Sequence, residues 1–429
     1  MSEKFQIEKL ATLFLILALV HTFLVSYVAK IANNFKRQSV LFNLSHTLAE
    51  VEVVFGFWAI LFLITWSFFE SAEKALGYCQ NLNVTEPLFV LCIVLIASSK
   101  PVLDFTQIFI VSSANKLSNL FKSNQVQTQF LVLFIMGPLL GSLITEPAAI
   151  TIVGLILMRM FNDKTTETNF VYGLVALLFV NISIGGSLTY FAAPPILMVA
   201  RIWQWNISSV FINLGVPAIS AVVLNTFLFK FRYKNKITNF FKPLQFESTE
   251  SPFWVTSIHL LFLLVLILNL HQPKILIFVL ILFAVFTKLT ARFQTTLRWK
   301  ESFLVAFFLM GLLVLGSFQQ WWLQPIITEL SEKTVFFAAV LLTAVTDNAA
   351  LTYLGSQVPD LKETARWALV SGALAGGGLT ILANAPNPVG FSLLISKFPN
   401  RVLSSGKLFL AAIIPTLIAV TCFLIFGHF

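Results

Sequence analysis

The sequence predicts an all-α polytopic membrane protein, built as an inverted repeat with two re-entrant helical hairpins and two discontinuous helices. Three observations predict this fold class. First, 57% of the 429 residues are hydrophobic and only 11% are charged, whereas a soluble domain is about 25% charged. Second, several long apolar stretches are interrupted by glycine and proline. Third, two short motifs recur in the same order in the two halves of the chain.

The charge balance and the cysteine count exclude several other classes of protein. So little polar surface could not cover a water-facing exterior, which excludes a disordered chain, a nucleic-acid-binding protein and a secreted disulfide scaffold. The net charge of +9 (28 basic and 19 acidic residues) fits the excess of Lys and Arg in cytoplasmic loops of membrane proteins. The three cysteines are too scattered for a disulfide or zinc framework: Cys79, Cys92 and Cys422.

Uninterrupted apolar runs predict eight simple spans, because a membrane-spanning helix needs about 20 apolar residues. They lie near residues 10–31, 51–69, 86–100, 208–229, 253–270, 273–288, 302–322 and 408–427. The first run is long enough to remain as a span, so no cleavable signal peptide is expected. The expected organisation is an N-terminal helix with a cytoplasmic loop, a first repeat, a linker with an extra helix and a second repeat, at residues 1–50, 51–232, 233–272 and 273–429.

Four further apolar stretches do not fit simple spans. Residues 130–158 hold one charge, Glu146, near their centre, and residues 334–358 hold one charge, Asp347. We expect each to fold as a hairpin with the acid at its tip. Residues 170–200 and 367–396 carry no charge, and glycine and proline predict a broken helix in each. The predicted helix-break residues are Gly185, Gly186, Pro194, Pro195, Gly376, Gly377, Gly378, Pro386, Asn387 and Pro388.

Self-comparison identifies an internal repeat in these stretches. The segment TEPAAIT at 145–151 matches TDNAALT at 346–352, and GGSLT at 185–189 matches GGGLT at 376–380. The motif pairs are offset by 201 and 191 residues, roughly half the chain. Two similar motifs in the same order indicate two homologous halves, which is the architecture of secondary transporters.

The basic clusters predict the orientation of the halves. All five fall on one side of the membrane if each hairpin enters and leaves by the same face; they lie at 30–37, 116–122, 230–236, 288–300 and 397–407. Positive loops are cytoplasmic. The first hairpin then opens to the cytoplasm and the second to the outside, as in an inverted repeat. Loops 230–242 and 288–300 are predicted to be cytoplasmic and the C-terminus to lie outside.

The hairpin tips predict an ion site. Arms of about 12–15 residues are about 18–22 Å long, so their tips would end inside a hydrocarbon core about 30 Å thick. Burial there favours a neutral carboxyl, whereas Na⁺ favours the ionised form, so Na⁺ and H⁺ compete. A structural carboxyl bonded to the opposite hairpin or broken helix is the alternative. The predicted ligands are carboxylates and nearby neutral oxygens: Thr145, Glu146, Thr189, Thr346, Asp347, Asn348, Thr380 and Asn384.

Three other polar residues are candidates for a proton path. Glu50 and Glu52 open the predicted helix 51–69, and Asn181 precedes the first break by one turn. Acidic side chains also stabilise a helix N-terminus, so a structural role for the two glutamates is the alternative.

At these residues the chain resembles the ion-transporter superfamily, which includes the divalent-anion:sodium symporters, the arsenite permeases and a sodium/proton antiporter family. The pattern Gly-Gly-x-Leu-Thr followed by Ala-x-x-Pro, at 185–195 and 376–386, is similar to its discontinuous helices. A closer resemblance, over most of the chain, is to a bacterial family of Na⁺/H⁺ antiporters. It is carried by both tip motifs, by AEVEVVFG at 49–56 and by ANAPNP at 383–388.

The resemblance implies a homodimer in the bacterial inner membrane, in which a transport domain of both hairpins and both broken helices moves as an elevator against a fixed scaffold. It implies Na⁺ and H⁺ as the transported ions. Anion symporters carry neutral tips, so Glu146 and Asp347 favour cation/proton exchange. A cation-coupled symporter of a small anion or neutral solute and a passive ion channel are the alternatives. Zinc-protease and phosphate-loop motifs are absent, so neither an enzyme nor a cofactor is expected.

Overall fold

The computed structural model describes residues 2–32, 39–162, 167–244, 251–398 and 404–429. The first and last predicted basic clusters lie partly outside the described residues. The described residues are mostly helical, and the only β pairing among them is an isolated bridge between Phe161 and Phe241. The predicted all-α class is therefore confirmed.

The described residues form twenty-one α-helices, and a π turn over Phe211–Gly215 joins the eleventh to the twelfth. In chain order they are α1 (Ser2–Ala32), α2 (Val40–Leu48), α3 (Val51–Phe69), α4 (Ala72–Asn81), α5 (Thr85–Ala97), α6 (Lys100–Leu120), α7 (Gln125–Ile144), α8 (Glu146–Met160), α9 (Thr168–Gly185), α10 (Pro194–Ala200), α11 (Ile207–Val210), α12 (Val216–Phe240), α13 (Phe253–Leu268), α14 (Pro273–Leu289), α15 (Trp299–Gly316), α16 (Gln320–Ile327), α17 (Glu332–Thr343), α18 (Asn348–Ser356), α19 (Glu363–Gly376), α20 (Asn387–Leu394) and α21 (Ser405–Phe426).

Seven helical segments in the described part of the chain are long and apolar enough to cross a membrane. They include the continuous segment formed by α11, the π turn and α12. The pair α4 and α5 would form an eighth span, bent by 58° at its break. This number of apolar helices confirms the prediction of a multi-pass membrane protein.

The predicted span at 86–100 is shorter than expected. The corresponding helix, α5, ends at Ala97 and has 13 residues. Ser98 and Ser99 follow, and their hydroxyls donate to carbonyls of the last turn at 3.2 and 2.6 Å. Pro101 lies in the first turn of α6, where its missing N–H has no helical partner to lose, so it favours the start of a new helix. These side chains end the helix although the composition remains largely apolar.

Two other predicted spans also end early. The run at 302–322 corresponds to α15, which stops at Gly316. Ser317 and Gln319 then bond back to carbonyls of the preceding turn at 3.2 and 2.7 Å, which satisfies the helix end. The run at 253–270 forms α13, whose 16 residues fall below the roughly 20 of a span.

The first predicted hairpin consists of α7 and α8, which pack together and are joined by Thr145 alone. Thr145 has a φ of 79°, a region that non-glycine residues rarely occupy, so the chain reverses within one residue. Its first arm is longer than predicted: α7 has 20 residues, about 30 Å of helix. The second hairpin is shorter, with 12 residues in α17 and nine in α18.

Both discontinuous helices are present. The first consists of α9 and α10, separated by residues 186–193, and the second consists of α19 and α20, separated by residues 377–386. The two repeats interlock, because α10 packs on α18 of the second hairpin and α20 packs on α8 of the first. Nearly every side chain of α9 is buried, which places this helix in the core.

The helices pack into two groups. The first, here called the hairpin group, contains α6–α12 and α17–α21; the second, the flanking group, contains α1–α5 and α13–α16. The groups touch where α13 meets α6, where α15 and α16 meet α18, and where α5 meets α6, α7 and α8. The predicted spans at 208–229 and 408–427 form α12 and α21, which pack along α7 and α9 and so lie in the hairpin group. Their apolar sequences do not distinguish a lipid-facing side from a protein-facing one.

Candidate ion-binding site

Glu146 connects the two repeats. It occupies the first position of α8, and its side chain is fully buried. Its Oε2 atom accepts a 2.8 Å hydrogen bond from Nδ2 of Asn384, which lies in the second break. Its Oε1 atom has no hydrogen-bond partner. The N-terminus of α8 favours negative charge at this position, so it stabilises the ionised form of the carboxyl.

Asp347 occupies the matching position in the second repeat but makes different contacts. Its Oδ1 atom accepts hydrogen bonds from the backbone N–H groups of Ala349 and Ala350, at 2.8 and 3.2 Å. It therefore caps α18. The carboxyl of Asp347 also interacts electrostatically with that of Glu146.

The second glycine of each break leaves room for a tip side chain. A Cβ atom at Gly186 would lie 2.7 Å from Oε1 of Glu146, and one at Gly377 would lie 2.9 Å from Nδ2 of Asn348. Real Cβ atoms essentially never approach other atoms as closely as this. Glycine at these two positions therefore allows each hairpin tip to sit directly against a break.

Hydroxyl groups join each tip to the break of its own repeat. Thr189 donates to the carbonyl of Ser142 at 2.6 Å, and Thr380 donates to the carbonyl of Ala344 at 2.9 Å. The Thr380 oxygen also accepts from the Ala383 N–H at 3.2 Å, which leaves it little capacity to bind a cation. The predicted ligands Thr189 and Thr380 thus position the tips.

Asn348 and Asn387 complete the contacts of the second tip and break. The backbone N–H of Asn348 donates to the carbonyl of Ala383 at 3.1 Å. The Nδ2 atom of Asn387 donates to the carbonyls of Gly377 and Thr380 at 2.8 and 2.9 Å. These bonds satisfy backbone groups that the broken helix would otherwise leave unpaired in the membrane.

Several buried oxygen atoms in these residues have no hydrogen-bond partner. Buried polar atoms are normally paired, so each of these oxygens has the capacity to bind an ion or a water molecule. Neutral and carboxylate oxygens are ligands suited to hard cations. The atoms are Thr145 Oγ1, Glu146 Oε1, Thr343 Oγ1, Asn348 Oδ1, Asn384 Oδ1 and Asn387 Oδ1.

Sequence reasoning missed Ser142 and Thr343. Both are buried hydroxyl residues four positions before the tip acid of their own repeat. The Ser142 hydroxyl donates to the carbonyl of Gly185 at 2.7 Å and accepts from the N–H of Leu188 at 2.9 Å. The signal that could have found them is the matched hydroxyl at this offset in both halves.

The remaining predicted ligand, Thr346, lies beside the second tip acid, and the predicted break residues lie at or next to the two helix breaks. Thr346 is half-buried next to Asp347. Gly185 and Gly376 end α9 and α19, and the remaining residues line the breaks or open the second half-helices: Gly186, Gly377, Gly378, Pro194, Pro195, Pro386, Asn387 and Pro388.

The candidate proton-path acids lie at the edge of the site. Glu50 occupies the N-cap position of α3 without a capping hydrogen bond from its side chain, and it forms a 2.6 Å ion pair with Lys300 at the start of α15. Glu52, in the first turn of α3, is half-buried and interacts electrostatically with Glu50 and Lys300. It also acts electrostatically on Asp347. Glu52 thus interacts electrostatically both with the Glu50–Lys300 pair and with the acid of the second tip.

Asn181 is held in a packing network. Pro138 inside α7 has no N–H, which leaves the carbonyl of Phe134 without its helical partner. Nδ2 of Asn181 donates to this carbonyl at 3.1 Å, and the Thr226 hydroxyl donates to it at 3.2 Å. Oδ1 of Asn181 accepts from Asn225 at 3.2 Å. These contacts give Asn181 a structural reason to be polar and place its side chain against α7 and α12.

The interlocked hairpins and broken helices, with two buried carboxyls at their tips, define a polytopic membrane transporter. The chain belongs to the family described as "Putative Na+/H+ antiporter", whose model matches residues 6–426. Among solved structures, it is similar to the YdaH transporter of Alcanivorax borkumensis, whose topology is described as unusual. That likeness has 14% identity and a TM-score of 0.45, and covers 88% of this chain and 97% of that one. Among curated proteins, none matches the sequence.

Proposed function

We propose that this protein exchanges Na⁺ for H⁺ and that Glu146 binds the two ions alternately. The observation that carries the proposal is the state of its carboxyl: it is fully buried, one oxygen is bound to Asn384, and the other is unpartnered. An ionised carboxylate buried in this way is costly unless a cation neutralises it. Either a proton or Na⁺ provides that neutralisation, so binding of one displaces the other.

Asp347 strengthens the competition. Two carboxyls that interact inside a buried site oppose each other's ionisation, so a cation between the hairpins favours the doubly ionised state. Asn384 and Asn348 supply neutral oxygens from a break and a tip, and Thr145 supplies a hydroxyl. Exchange by this scheme needs no solute and no nucleotide.

Protons are proposed to pass between the site and the membrane surface through the carboxyl of Glu52. It lies in electrostatic reach of both the surface pair Glu50–Lys300 and Asp347. A half-buried carboxyl at this position can accept a proton from one side and release it to the other. Asn181 is left out of this route because its hydrogen bonds hold α7, α9 and α12 together.

Alternating access is proposed to follow from motion of the hairpin group against the flanking group. All predicted ion ligands lie in the hairpin group, whereas Glu50, Glu52 and Lys300 lie in the flanking group. The contacts between the groups are limited, so an elevator-type displacement would carry the site without breaking it. A homodimer in the inner membrane of a bacterium, with the flanking group fixed, is the assembly proposed.

Everted membrane vesicles that contain the protein test this function. After a pH gradient is established, addition of Na⁺ or Li⁺ should release protons and dequench a pH-sensitive dye. A symporter would instead show Na⁺-dependent uptake of a labelled solute without proton release. A channel would conduct one ion with no obligatory counterflow. Either result would refute the exchange.

A further inference from the structure

A second binding feature lies away from the hairpin tips, between α9, α12 and α21. This cleft has a volume of about 440 Å³. Its walls are mostly apolar, with Leu177, Leu228, Ile414 and Ile418 among the lining residues. Leu228 and Ile414 are exposed on the outer surface of the group, so the cleft is accessible from the side that faces lipid.

Two basic side chains lie at one end of the cleft. Arg232, near the end of α12, and Lys407, in the first turn of α21, both line it and both are exposed. Neither has an acidic partner among the described residues, and the nearby Glu167 is paired with Lys236. Tyr172 also lines this end, and its hydroxyl accepts a 2.8 Å bond from the backbone of Ser404.

The length of the cleft follows from two contacts along α21. Near its basic end, Ser404 is bonded to Tyr172, and deeper in the cleft Nδ2 of Asn225 donates to the carbonyl of Pro415 at 3.2 Å. The eleven residues between these points correspond to about 16 Å of helix. The cleft is thus an elongated apolar channel with positive charge at a single end.

We propose that this cleft binds one anionic phospholipid, with the phosphate between Arg232 and Lys407 and an acyl chain along α12 and α21. Basic pockets between membrane helices attract anionic headgroups, and Arg and Lys form charge-assisted hydrogen bonds to phosphate. A free phosphate would not use the apolar length. A symmetric second copy would place the same two cations opposite each other, which like-charge repulsion opposes.

The bound lipid would stabilise α9, the first half of the first broken helix, on the side that packs against α12. Asn225 at the floor of the cleft donates to Asn181 of α9, four residues before α9 ends at Gly185. A lipid that holds α9, α12 and α21 together therefore fixes the packing on which the first break rests. This role is independent of which ion is transported.

The test measures lipid retained by the purified full-length protein, using native mass spectrometry and lipid extraction. Wild type should carry an anionic phospholipid. The double variant Arg232→Gln/Lys407→Gln should carry at least about tenfold less anionic phospholipid than wild type. The matched control Lys288→Gln/Arg292→Gln should carry as much as wild type. Ala411→Trp, which fills the cleft and keeps both charges, should also lose the lipid.

Add-back to delipidated protein distinguishes the ligand sources. Vesicles of phosphatidylglycerol should raise the melting temperature of wild type and of the Lys288/Arg292 control, but not of the Arg232/Lys407 variant. The proposal is overturned if phosphatidylcholine or inorganic phosphate protects equally well, or if the Arg232/Lys407 variant retains as much anionic lipid as wild type. A dimer of lipid-free protein that Ala411→Trp abolishes, and that therefore forms through this face, would also overturn it.

Discussion

Glu146 and Asp347 occupy the same place in the repeated motif, yet their carboxyls bind different partners. Glu146 reaches across to Asn384 of the other repeat, whereas Asp347 caps the helix that it begins. The difference follows from the chain at the tips. Thr145 turns within a single residue at positive φ, but Ala344–Thr346 leave the helix gradually, so Asp347 sits in an extended N-cap conformation. The internal repeat thus produces an asymmetric pair.

Neutral replacement of the tip acids should separate these roles. Glu146→Gln and Asp347→Asn should each reduce Na⁺-dependent proton release in vesicles by at least about tenfold, because each removes a charge that the cation would neutralise. Asparagine is a good helix N-cap, so Asp347→Asn should keep α18 folded. The exposed acid Glu73 gives the control Glu73→Gln, which should exchange normally. Normal exchange by both tip variants would refute their assignment as ion ligands.

The account of Asn181 predicts an effect on stability and little effect on exchange. Asn181→Ala removes one of two donors to the Phe134 carbonyl and should cost about 1–3 kcal/mol of unfolding free energy. In a Pro138→Ala background, position 138 regains an N–H that can bond this carbonyl, so the cost should shrink. Thermal unfolding of the four proteins measures this cycle. Equal costs in both backgrounds, with exchange abolished by Asn181→Ala, would instead support a proton path.

At the scale of single residues, the sequence predicted the tip acids and breaks because lone charges and glycine-proline interruptions are rare in apolar stretches. It could not predict that Thr189 and Thr380 position the tips or that Ser142 joins the first tip to its break. A hydroxyl in an apolar helix most often bonds to its own helix, so single serines and threonines carry little information. Their partners become identifiable only when the two segments are brought together.

At the scale of helices, the sequence predicted where most helices lie but not where they end. Apolar length predicted most spans, but side chains at the ends of α5 and α15 stop those helices earlier than hydropathy suggests. The first arm of the first hairpin is also longer than predicted, since α7 continues back to Gln125. Hydropathy averages over many residues, whereas helix ends depend on one or two capping side chains.

Packing within and between the helix groups predicts which crosslinks transport will tolerate. Gln127 of α7 donates to the hydroxyl of Thr238 of α12 at 3.2 Å, and both residues belong to the hairpin group. In a cysteine-free background, Gln127→Cys/Thr238→Cys joined by a short, reducible bis-methanethiosulfonate reagent should keep exchanging. Arg201, directly after α10, pairs with Glu86 of α5 at 3.5 Å, across the two groups. Arg201→Cys/Glu86→Cys joined by the same reagent should therefore lock the transporter.

The uncrosslinked and reduced forms of both pairs are the controls for this comparison, measured in the same vesicles. If the pair across the groups still exchanges when fully crosslinked, while the pair inside the hairpin group stops, the moving body has been assigned incorrectly. The helices of the hairpin group would then not move as one unit against the flanking group.

For the whole molecule, the positive-charge pattern predicts that the loop at 230–242 faces the cytoplasm. A single cysteine at Lys234 should therefore resist an impermeant thiol reagent in intact cells and react after the membrane is opened. A cysteine at the exposed His428, near the C-terminus, should react in intact cells because that end is predicted to lie outside. Ready labelling at 234 in intact cells would contradict the inverted arrangement of the two hairpins.

The grouping of helices could not be read from the sequence for a physical reason. Lipid-facing and protein-facing sides of a span are equally apolar, so α12 and α21 show no composition that assigns them to the hairpin group. Their polar contacts, such as Asn225 with Asn181, are visible only in the folded chain. The repeat predicted which segments correspond, and the contacts determine which segments belong together.

Competition between Na⁺ and H⁺ for Glu146 is the central claim, and proton release on ion binding tests it most directly. Na⁺ is added to purified protein in weak buffer, and a soluble pH dye reports released protons over a pH titration. The account predicts that wild type and Glu73→Gln release protons on Na⁺ addition, whereas Glu146→Gln, which has no proton to exchange at this position, releases far fewer. Unchanged release by folded Glu146→Gln, or no release by wild type at any pH, would contradict it.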